Sequence, residues 1–359
     1  MATTSDNSPH VASLVHKKPN YHSELGSIQA ITADDLPILE NLSIKRLRLA
    51  RNAIREPHWH ANANELAYCL HGKALISILD SGNEFSVFTL NQGEMFFVES
   101  GSLHHIENIG DGEAELIICF RHERPTDFSL AASLGAMSDT VLGNTYDHHA
   151  SDWKNIGRDT QTKYMVRRQG DVDLPRTALL PNRHKFDVEG MTPPTSHDFG
   201  TARTAKSQFW PALPNMSMYS LRVEEDGMRE PHWHPSTAEM GYVAEGTGRM
   251  SVMDPDGSVD TYILKPGDVY YVPVAYPHQI EAVGDGKIHF LIFFDQPMPQ
   301  DVGYRNAATL LTPESMAATL GVDVKNLPQF PHTPKDPLIV KKRNEAMLPD
   351  RMFDAYYHN

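Results

Sequence analysis

The sequence has few cysteines, no long apolar run near its start and a deficit of positive charge. Cys69 and Cys119 are the only two cysteines among 359 residues. Two cysteines are too few for a disulfide framework or a cysteine-based zinc site, and both lie in hydrophobic strand-like runs, so we expect buried free thiols. Residues 1–20 contain no apolar stretch long enough for a signal peptide or a membrane helix, which predicts a cytoplasmic protein without a membrane partner.

The charge balance narrows the range of partners. The chain has 32 lysines and arginines against 46 aspartates and glutamates, a formal net charge of −14. Because phosphate groups would be repelled, we expect no nucleic-acid partner. A small anionic substrate stays compatible with this charge, since a bound metal ion and an arginine can dominate the local field. The length suits two domains.

The most informative feature is a long internal repeat. Residues 26–120 align with residues 200–294 without a gap, so that the offset between equivalent positions is constant throughout. Within that frame the segment Arg55–His60, with the sequence Arg-Glu-Pro-His-Trp-His, recurs as Arg229–His234. A period this long indicates two duplicated domains and not a solenoid of short units.

Each copy of the repeat has the pattern of short β-strands. Leu75–Leu79 and Met250–Met253 are rich in β-forming residues, and each run ends in turn residues, at 80–83 and 254–257. Short strands at close and regular spacing predict an all-β fold built from antiparallel sandwiches or barrels.

Helical signal is confined to the segments that follow each copy. Pro313–Gly321 is typical of a short helix, with Thr312 as its N-cap and a glycine at its end, and Ser129–Met137 is its expected counterpart. The predicted organisation is an N-terminal arm at 1–25, a first barrel with its helix at 26–140, a connector at 141–199, a second barrel with its helix at 200–325 and a C-terminal tail at 326–359.

The conserved spacing within the repeat predicts a metal site. Residues two apart on a strand point to the same face, so His58 and His60 enter the barrel while Trp59 faces away. Glu65 lies five residues beyond His60, an odd step that would turn it outward on an unbroken strand. We therefore expect a turn at residues 61–64.

The fourth ligand comes from a later strand, where His104 and His105 are adjacent candidates. The repeat favours His104, because it aligns with His278 whereas His105 aligns with Gln279. Three imidazoles and one carboxylate suit Mn, Fe, Ni or Zn. A six-coordinate ion would leave two positions open for water, substrate or dioxygen, whereas tetrahedral zinc would be closed by four protein ligands. The predicted ligand sets are His58, His60, Glu65 and His104 in the first copy, and His232, His234, Glu239 and His278 in the second.

These motifs resemble the two signature motifs of the cupin superfamily, and the chain from about Gly26 to Lys342 is similar to the bicupin oxalate decarboxylases. The resemblance implies two tandem cupin barrels (double-stranded β-helices, or jelly rolls) with short flanking helices. It also implies one manganese ion in each barrel, bound by the eight residues named above, and a homo-oligomer, either a trimer or a hexamer. The implied reaction turns oxalate into formate and carbon dioxide, with dioxygen as a redox partner.

The resemblance further implies that Arg55 and Arg229 bind the substrate. Oxalate is a small dicarboxylate, and a guanidinium group binds carboxylates through charge-assisted and often bidentate hydrogen bonds. The alternative is a structural ion pair with the adjacent glutamate, Glu56 or Glu230. Arg55 lies an odd number of residues before the first histidine, so it needs a break in the strand at Pro57 to point inward.

The segment after the first barrel departs from the family pattern. In the decarboxylases a lid at this place carries a Ser-Glu-Asn-Ser-Thr stretch whose glutamate supplies the proton for formate, and here His122–Phe128 is shorter and lacks it. Asp127 and Glu123 are the candidate replacements for this proton donor. A general acid is worth about a hundred- to ten-thousand-fold in rate. The alternatives are therefore oxalate oxidase-type or other metal-dependent oxygenase chemistry, and a non-catalytic metal- or ligand-binding cupin.

Overall fold

The computed structural model describes residues 9–284 and 286–346. The start of the predicted N-terminal arm (1–8), residue 285 and the end of the predicted tail (347–359) lie outside the described residues. The described chain consists mostly of β-strands with four short α-helices, which confirms the predicted all-β class. No helix in these ranges is long and apolar enough to cross a membrane.

Twelve strands and two helices cover the chain through the first copy of the repeat. They are β1 Val11–Ser13, β2 Tyr21–Ser23, β3 Gly26–Ile31, β4 Ser43–Leu49, β5 Ala53–His60, β6 Glu65–His71, β7 Lys73–Asp80, β8 Glu84–Asn91, β9 Glu94–Val98, β10 Leu103–Asn108, β11 Ala114–Phe120, β12 Asp127–Ser129, α1 Leu130–Gly135 and α2 Asp139–Thr145.

The remaining elements cover the connector, the second copy and the described part of the tail. They are β13 Met165–Arg167, β14 Lys185–Asp187, β15 Thr195–His197, β16 Gly200–Ala205, β17 Ser217–Val223, β18 Gly227–Trp233, β19 Glu239–Glu245, β20 Gly248–Met253, β21 Val259–Leu264, β22 Asp268–Val272, β23 His278–Ala282, β24 Ile288–Phe294, β25 Val302–Gly303, α3 Tyr304–Leu310, α4 Pro313–Leu320 and β26 Ile339–Lys341. Single 3-10 turns occur at Ala150–Trp153, Arg176–Leu179 and Val324–Asn326.

The chain forms two compact units, and each contains one copy of the repeat. The first barrel consists of residues 16–35 and 41–190, and the second of residues 36–40, 191–346 and the described residues up to Val15. Each unit has a seven-stranded and a six-stranded antiparallel sheet. In the first barrel their orders are β14-β9-β6-β11-β4-β3-β2 and β12-β5-β10-β7-β8, with β13 also on β5; in the second they are β1-β22-β19-β24-β17-β16-β15 and β21-β20-β23-β18-β25, with β26 also on β18.

A hydrophobic core fills the space between the two sheets of each unit. In the first barrel it joins Ile76 and Phe88 of one sheet to Leu116 of the other, all fully buried. In the second barrel Met250 and Phe290 have the same role. The tandem barrels expected from the repeat are thus confirmed. The two cysteines are buried free thiols, as predicted.

The structural repeat extends well beyond the segment that aligns in sequence. Strand β14 pairs with β9 in the first barrel, and β1 pairs with β22 in the second, so that each barrel gains an edge strand. Lys185 of β14 and Val11 of β1 are separated by the same offset as His232 and His58. Strands β13 and β26, which pair with β5 and β18, obey this offset as well. The connector and the tail therefore contain parts of the two barrels.

The helix that follows the second copy ends and begins as predicted. The Thr312 side chain accepts a hydrogen bond from the backbone N–H of Ser315, and Gly321 adopts a left-handed conformation with φ of 69°. The helix expected at Ser129–Met137 is present as α1, with Ser129 as its N-cap. The offset pairs this helix with α3, however, and pairs α4 with α2, so only the expected correspondence was wrong. Helix α3 was not predicted, because its N-cap residue Gly303 has no side chain and so gives no capping signal in the sequence. Helix α1, by contrast, is capped by the Ser129 side chain.

Candidate metal centres

A β-bulge in strand β5 brings an arginine and a histidine that are three residues apart to the same side. On the neighbouring strand β10, Ile106 pairs with Arg55 and His104 pairs with His58, so three steps on β5 oppose two on β10. An extra residue of this kind resets the in-and-out alternation of a strand. The expected break near Pro57 takes this form, and β18 has the same register shift against β23.

The glutamate reaches the cluster because the chain turns before it. Strand β5 ends at His60, residues 61–64 lie outside any strand, and β6 begins at Glu65. A Glu65 Oε2 atom then lies 2.7 Å from His60 Nε2 and 3.4 Å from His104 Nε2. The turn that the odd spacing requires is therefore present.

The structure brings the eight predicted ligands together in two clusters, one in each barrel. Each residue offers one ligand atom, and the four atoms of a cluster lie within 4.8 Å of one another. All eight residues are at most 2% exposed. His105, the rejected alternative, lies outside the first cluster, with its Nε2 3.8 Å from a Glu107 carboxylate oxygen.

Hydrogen bonds to the backbone fix which imidazole nitrogen faces the cluster. His58 Nδ1 lies 2.8 Å from Glu56 O, and His104 Nδ1 lies 3.0 Å from Ser102 O. A carbonyl oxygen only accepts, so Nδ1 carries the hydrogen and Nε2 keeps its lone pair for the cluster. The second barrel repeats this arrangement at His232 and His278, at 2.8 Å and 3.0 Å from backbone carbonyls.

Several of these inward atoms are buried without a hydrogen-bond partner among the described residues. They are the Nε2 atoms of His104, His232 and His278 and the Oε1 atom of Glu65. Buried polar atoms without a partner are costly in a folded protein. Lone pairs that converge on one point are what a metal ion satisfies, so the residues present fit a bound cation.

The electrostatics of the first cluster favour the ligand forms of His58 and Glu65. Burial, followed by Arg55, lowers the pKa of His58 well below its usual value, so the imidazole is neutral. Burial alone would raise the pKa of Glu65, but His104 and His60 outweigh it and hold the group ionised. Neutral imidazole and ionised carboxylate are the states that bind metals.

One histidine in each cluster binds a proton strongly. Burial lowers the pKa of His234, but the Asp301 and Glu239 carboxylates outweigh this effect and raise it to about 9. The pKa of His60 is likewise raised, by Asp127 and Glu65 against the effect of burial. A metal ion that binds these imidazoles must displace that proton.

An aspartate connects the buried arginine to the cluster of candidate metal ligands. Arg55 is 1% exposed, and its Nη2 donates to Asp127 Oδ2 at 2.7 Å. The other carboxylate oxygen, Asp127 Oδ1, lies 2.7 Å from His60 Nδ1. The proposed alternative partner of Arg55 was wrong, since Glu56 instead accepts hydrogen bonds from Ser129 Oγ and the Tyr164 N–H.

The second barrel contains the same connection. Arg229 Nη2 donates to Asp301 Oδ2 at 2.8 Å, and Asp301 Oδ1 lies 2.7 Å from His234 Nδ1. His234 Nδ1 has a further acceptor, the backbone carbonyl of Gln300 at 3.2 Å. Sequence reasoning missed the role of Asp301, although the offset of the repeat makes it the equivalent of Asp127.

The surroundings of the two clusters differ. In the first barrel Lys45 Nζ lies 3.7 Å from Asp127 Oδ2. The position equivalent to Lys45 is Tyr219 in the second barrel. There the hydroxyl of Tyr270 also donates to Glu239 Oε1 at 2.6 Å, where the first barrel has Phe96. The first cluster thus has a buried ammonium beside it, and the second has phenols.

Glu123 lies apart from these ion pairs. Its carboxylate accepts a hydrogen bond from the Asn41 N–H at 3.1 Å, on the part-exposed side of the segment. Backbone hydrogen bonds lower its pKa. Asp127, by contrast, lies on strand β12, which pairs with β5 so that Asp127 is opposite His60.

Comparison with known proteins agrees with these two centres. A model of the Cupin family matches residues 12–152 and again residues 190–327. The oxalate decarboxylase OxdC of Bacillus subtilis (strain 168) is 29% identical over 335 residues, which cover 88% of this chain and 83% of that protein.

Solved structures of the Bacillus subtilis enzyme give the same result. Its structure at pH 4.6 superposes with a TM-score of 0.82 at 26% identity, over 93% of this chain and 88% of that one. A second structure, concerned with the Mn(II) centres of that enzyme, also matches with a TM-score of 0.82 and 26% identity, over 93% of this chain and 89% of the other. With one family match and one metal-ligand cluster in each barrel, this chain belongs to the Cupin family and is a bicupin similar to the oxalate decarboxylases.

Proposed function

We propose that this protein is a manganese-dependent enzyme that converts oxalate to formate and carbon dioxide. The observation that carries the proposal is the buried arginine beside each three-histidine, one-glutamate cluster, held there by an aspartate. The likeness to oxalate decarboxylase over most of the chain supports the same conclusion.

Manganese suits the donor set, which combines three imidazole nitrogens with one carboxylate oxygen. Iron, nickel and zinc accept similar ligands, so the donor types alone do not select manganese. The Mn(II) centres of the similar Bacillus enzyme favour manganese among these ions. When bound, the ion would supply a Lewis acid and redox chemistry with dioxygen. The protein contributes four ligands at each centre, and the buried arginine lies next to them.

Arg55 and Arg229 are proposed to bind and orient the substrate. Arg55 Nη2 donates to Asp127, and Nη1 donates to the backbone carbonyl of Tyr164 at 3.2 Å. A guanidinium has five N–H donors, so donors remain for a carboxylate of oxalate. Because both arginines are nearly buried, these hydrogen bonds would form away from bulk water, where they are strong.

The proton that completes formate has three candidate donors in the first barrel. The pKa of Asp127 is held well below its usual range, because Lys45, His60 and Arg55 outweigh the effect of burial. The pKa of Glu123 is also lowered, so both carboxyls predicted from the sequence are ionised at mildly acidic pH. Lys45 keeps a proton there, and burial lowers its pKa from the ordinary value, which makes it a better acid. We therefore propose Lys45, whose Nζ lies 3.7 Å from Asp127 Oδ2, as the donor, and Asp127 as the group that positions Arg55 and His60.

An oxalate oxidase-type reaction is the second candidate. The segment that would form a lid contributes strand β12, which is fixed by its pairing with β5, and it has no glutamate beyond Glu123. If the proton is not delivered after the carbon–carbon bond breaks, both carbons leave as carbon dioxide and dioxygen is reduced to peroxide.

Carbon-13 NMR of labelled oxalate distinguishes these reactions. The manganese-loaded protein is incubated with oxalate in air at mildly acid pH, and peroxide is measured in parallel. Formate as the main product supports decarboxylation, and peroxide with carbon dioxide supports oxidase chemistry. Unchanged oxalate, in protein shown to hold two manganese ions, would contradict both and favour a non-catalytic metal-binding role.

The metal assignment has its own control. His58→Ala and His232→Ala are each expected to remove about one metal equivalent per chain, as counted by mass spectrometry of the metal. The corresponding change at the rejected position, His105→Ala, should leave the count unchanged.

Assembly and location belong to the same proposal. We expect a homo-oligomer, a trimer or a hexamer, in the cytoplasm. Light scattering on the purified protein tests the first expectation, and fractionation of cells that express the natural chain tests the second.

A further inference from the structure

A second repeated pair of residues lies outside the two metal clusters. By the offset of the repeat, His184 is the equivalent of His10, and Asp254 is the equivalent of Asp80. In each barrel the histidine directly precedes the added edge strand, β14 or β1, and the aspartate ends or directly follows a strand of the six-stranded sheet. Both histidines are buried, with 0% exposure for His10 and 3% for His184.

The backbone fixes the orientation of both imidazoles. His184 Nδ1 lies 3.0 Å from the carbonyl oxygen of Phe97, and His10 Nδ1 lies 3.0 Å from that of Tyr271. Since a carbonyl accepts, each Nδ1 carries a hydrogen, and each Nε2 faces the aspartate. The two barrels therefore present the same imidazole edge to the same carboxylate.

In the first barrel a cation binds both members of the pair. The Arg183 Nε atom lies 3.1 Å from His184 Nε2, and the same imidazole nitrogen lies 2.8 Å from Asp80 Oδ2. Arg183 Nη2 lies 3.0 Å from Asp80 Oδ2 and 2.7 Å from a Glu84 carboxylate oxygen. The positive guanidinium group thus lies against the imidazole edge and the two carboxylates together.

At the equivalent positions, the second barrel has no guanidinium group and one further carboxylate. The residue equivalent to Arg183 is Pro9, which has no charge, and the residue equivalent to Ser86 is Asp260. His10, Asp254 and Asp260 each offer one ligand atom, and these atoms lie within 4.8 Å of one another. Within the described ranges, neither aspartate has an ion pair with a lysine or an arginine.

The distances in the second barrel suit two ligands of one ion. His184 Nε2 lies 2.8 Å from Asp80 Oδ2 in the first barrel, whereas His10 Nε2 lies 3.3 Å and 3.5 Å from the two oxygens of Asp254. Two atoms bound at about 2.1 Å to the same ion are roughly 3.0–3.4 Å apart. The side chain of Asp254 is 22% exposed, so solvent can reach the cluster.

We propose that His10, Asp254 and Asp260 form a third metal site, which binds a divalent first-row cation such as Zn²⁺ in the place that the Arg183 guanidinium takes in the first barrel. One imidazole and two carboxylates are ordinary ligands of such ions, and three protein ligands leave room for water. The ion would fasten the segment before β1 to the turn after β20.

Counting zinc ions per chain tests the site. The full-length protein is saturated with Zn²⁺ alone, dialysed and analysed by mass spectrometry of the metal. We expect Asp260→Ser to bind one ion fewer than the natural chain, because it restores the uncharged residue of the first barrel. Asp256→Asn is the matched control: it removes a carboxylate from the turn that contains Asp254 but lies outside the cluster, and it should leave the count unchanged.

A converse variant tests the equivalence with Arg183. Changing Ser86→Asp together with Arg183→Ala gives the first barrel the ligands of the second, and should add one zinc ion per chain. Because serine already occupies the same strand position in the folded first barrel, Asp260→Ser is expected to fold. An equal zinc count in Asp260→Ser and the natural chain would overturn the site, and no gain in the double variant would overturn its equivalence with the guanidinium.

Discussion

Replacement of Asp127 by asparagine tests how the candidate metal ligands of the first barrel are held in place. The carboxylate accepts two hydrogen bonds, from Arg55 Nη2 and from His60 Nδ1, both at 2.7 Å. Asparagine has a single acceptor oxygen, so its NH₂ group must face one of these two donors. At least one of the connections is therefore lost.

The size of the effect follows from the role of the imidazole. A carboxylate that accepts from the outer nitrogen of a metal-binding histidine fixes the ring and raises its basicity, and its loss costs about 10- to 100-fold in metal affinity. We expect the manganese dissociation constant of the first site to rise by this factor in Asp127→Asn, equivalent to about 1.4–2.8 kcal/mol.

The second barrel supplies a matched comparison. His234 Nδ1 has the backbone carbonyl of Gln300 at 3.2 Å as an alternative acceptor. Asp301→Asn should therefore weaken its site less than Asp127→Asn weakens the first, by under about tenfold. Asp256→Asn, on an exposed turn, serves as the charge control.

Electron paramagnetic resonance of free Mn²⁺ during titration measures both affinities. If the two aspartate variants lose affinity equally, the carbonyl of Gln300 does not compensate. If Asp127→Asn keeps the affinity of the natural chain, the aspartate does not support the metal ligand, and its position between Arg55 and His60 concerns the arginine alone.

Four further predictions concern other parts of the molecule. Arg55→Lys should keep the metal count but raise KM for oxalate about 10-fold or more, because the bidentate guanidinium is lost; an unchanged KM in steady-state kinetics would remove Arg55 from the substrate site. Lys45→Met should shift the products from formate toward carbon dioxide and peroxide, and an unchanged ratio would exclude Lys45 as the proton donor. Burial and Asp336 raise the pKa of Glu230 to about 7, so stability should fall as pH rises from about 4.5 through 7. In thermal unfolding, Glu230→Gln should therefore raise the free energy of unfolding by on the order of 1 kcal/mol at about pH 8.5 and by almost nothing at about pH 5. Equal increases at both pH values would contradict this explanation. Burial raises the pKa of the Cys69 thiol to about 12, and Cys119 is fully buried, so neither cysteine should react with a thiol reagent at about pH 8 until the protein is unfolded.

The residues of the two candidate metal clusters could be predicted because their pattern is local and duplicated. His58 and His60 are two residues apart on one strand, and the same spacing recurs at His232 and His234. The alternation of a strand and the offset of the repeat were enough to choose His104 over His105. The odd number of residues from His60 to Glu65 also required a turn between them, and the structure contains this turn.

Residues distant in the chain could not be assigned in this way. Asp127 lies 72 residues after Arg55, and their contact depends on the pairing of β12 with β5. The sequence offered Asp127 only as a proton donor, because nothing in its spacing places it beside a guanidinium. Lys45 was overlooked for the same reason, since it lies on a strand of the other sheet.

By itself, the sequence determined that two copies of one β-rich domain are present and which side chains each copy directs inward, since both depend on spacing along a strand. The tertiary structure alone decided how these side chains are supported and charged. The bulge that turns Arg55 inward, the aspartates between arginine and histidine, and the closeness of Asp260 to His10 and Asp254 all depend on which strands become neighbours. Such neighbours are set by sheet pairing over long stretches of chain, and no local periodicity records them.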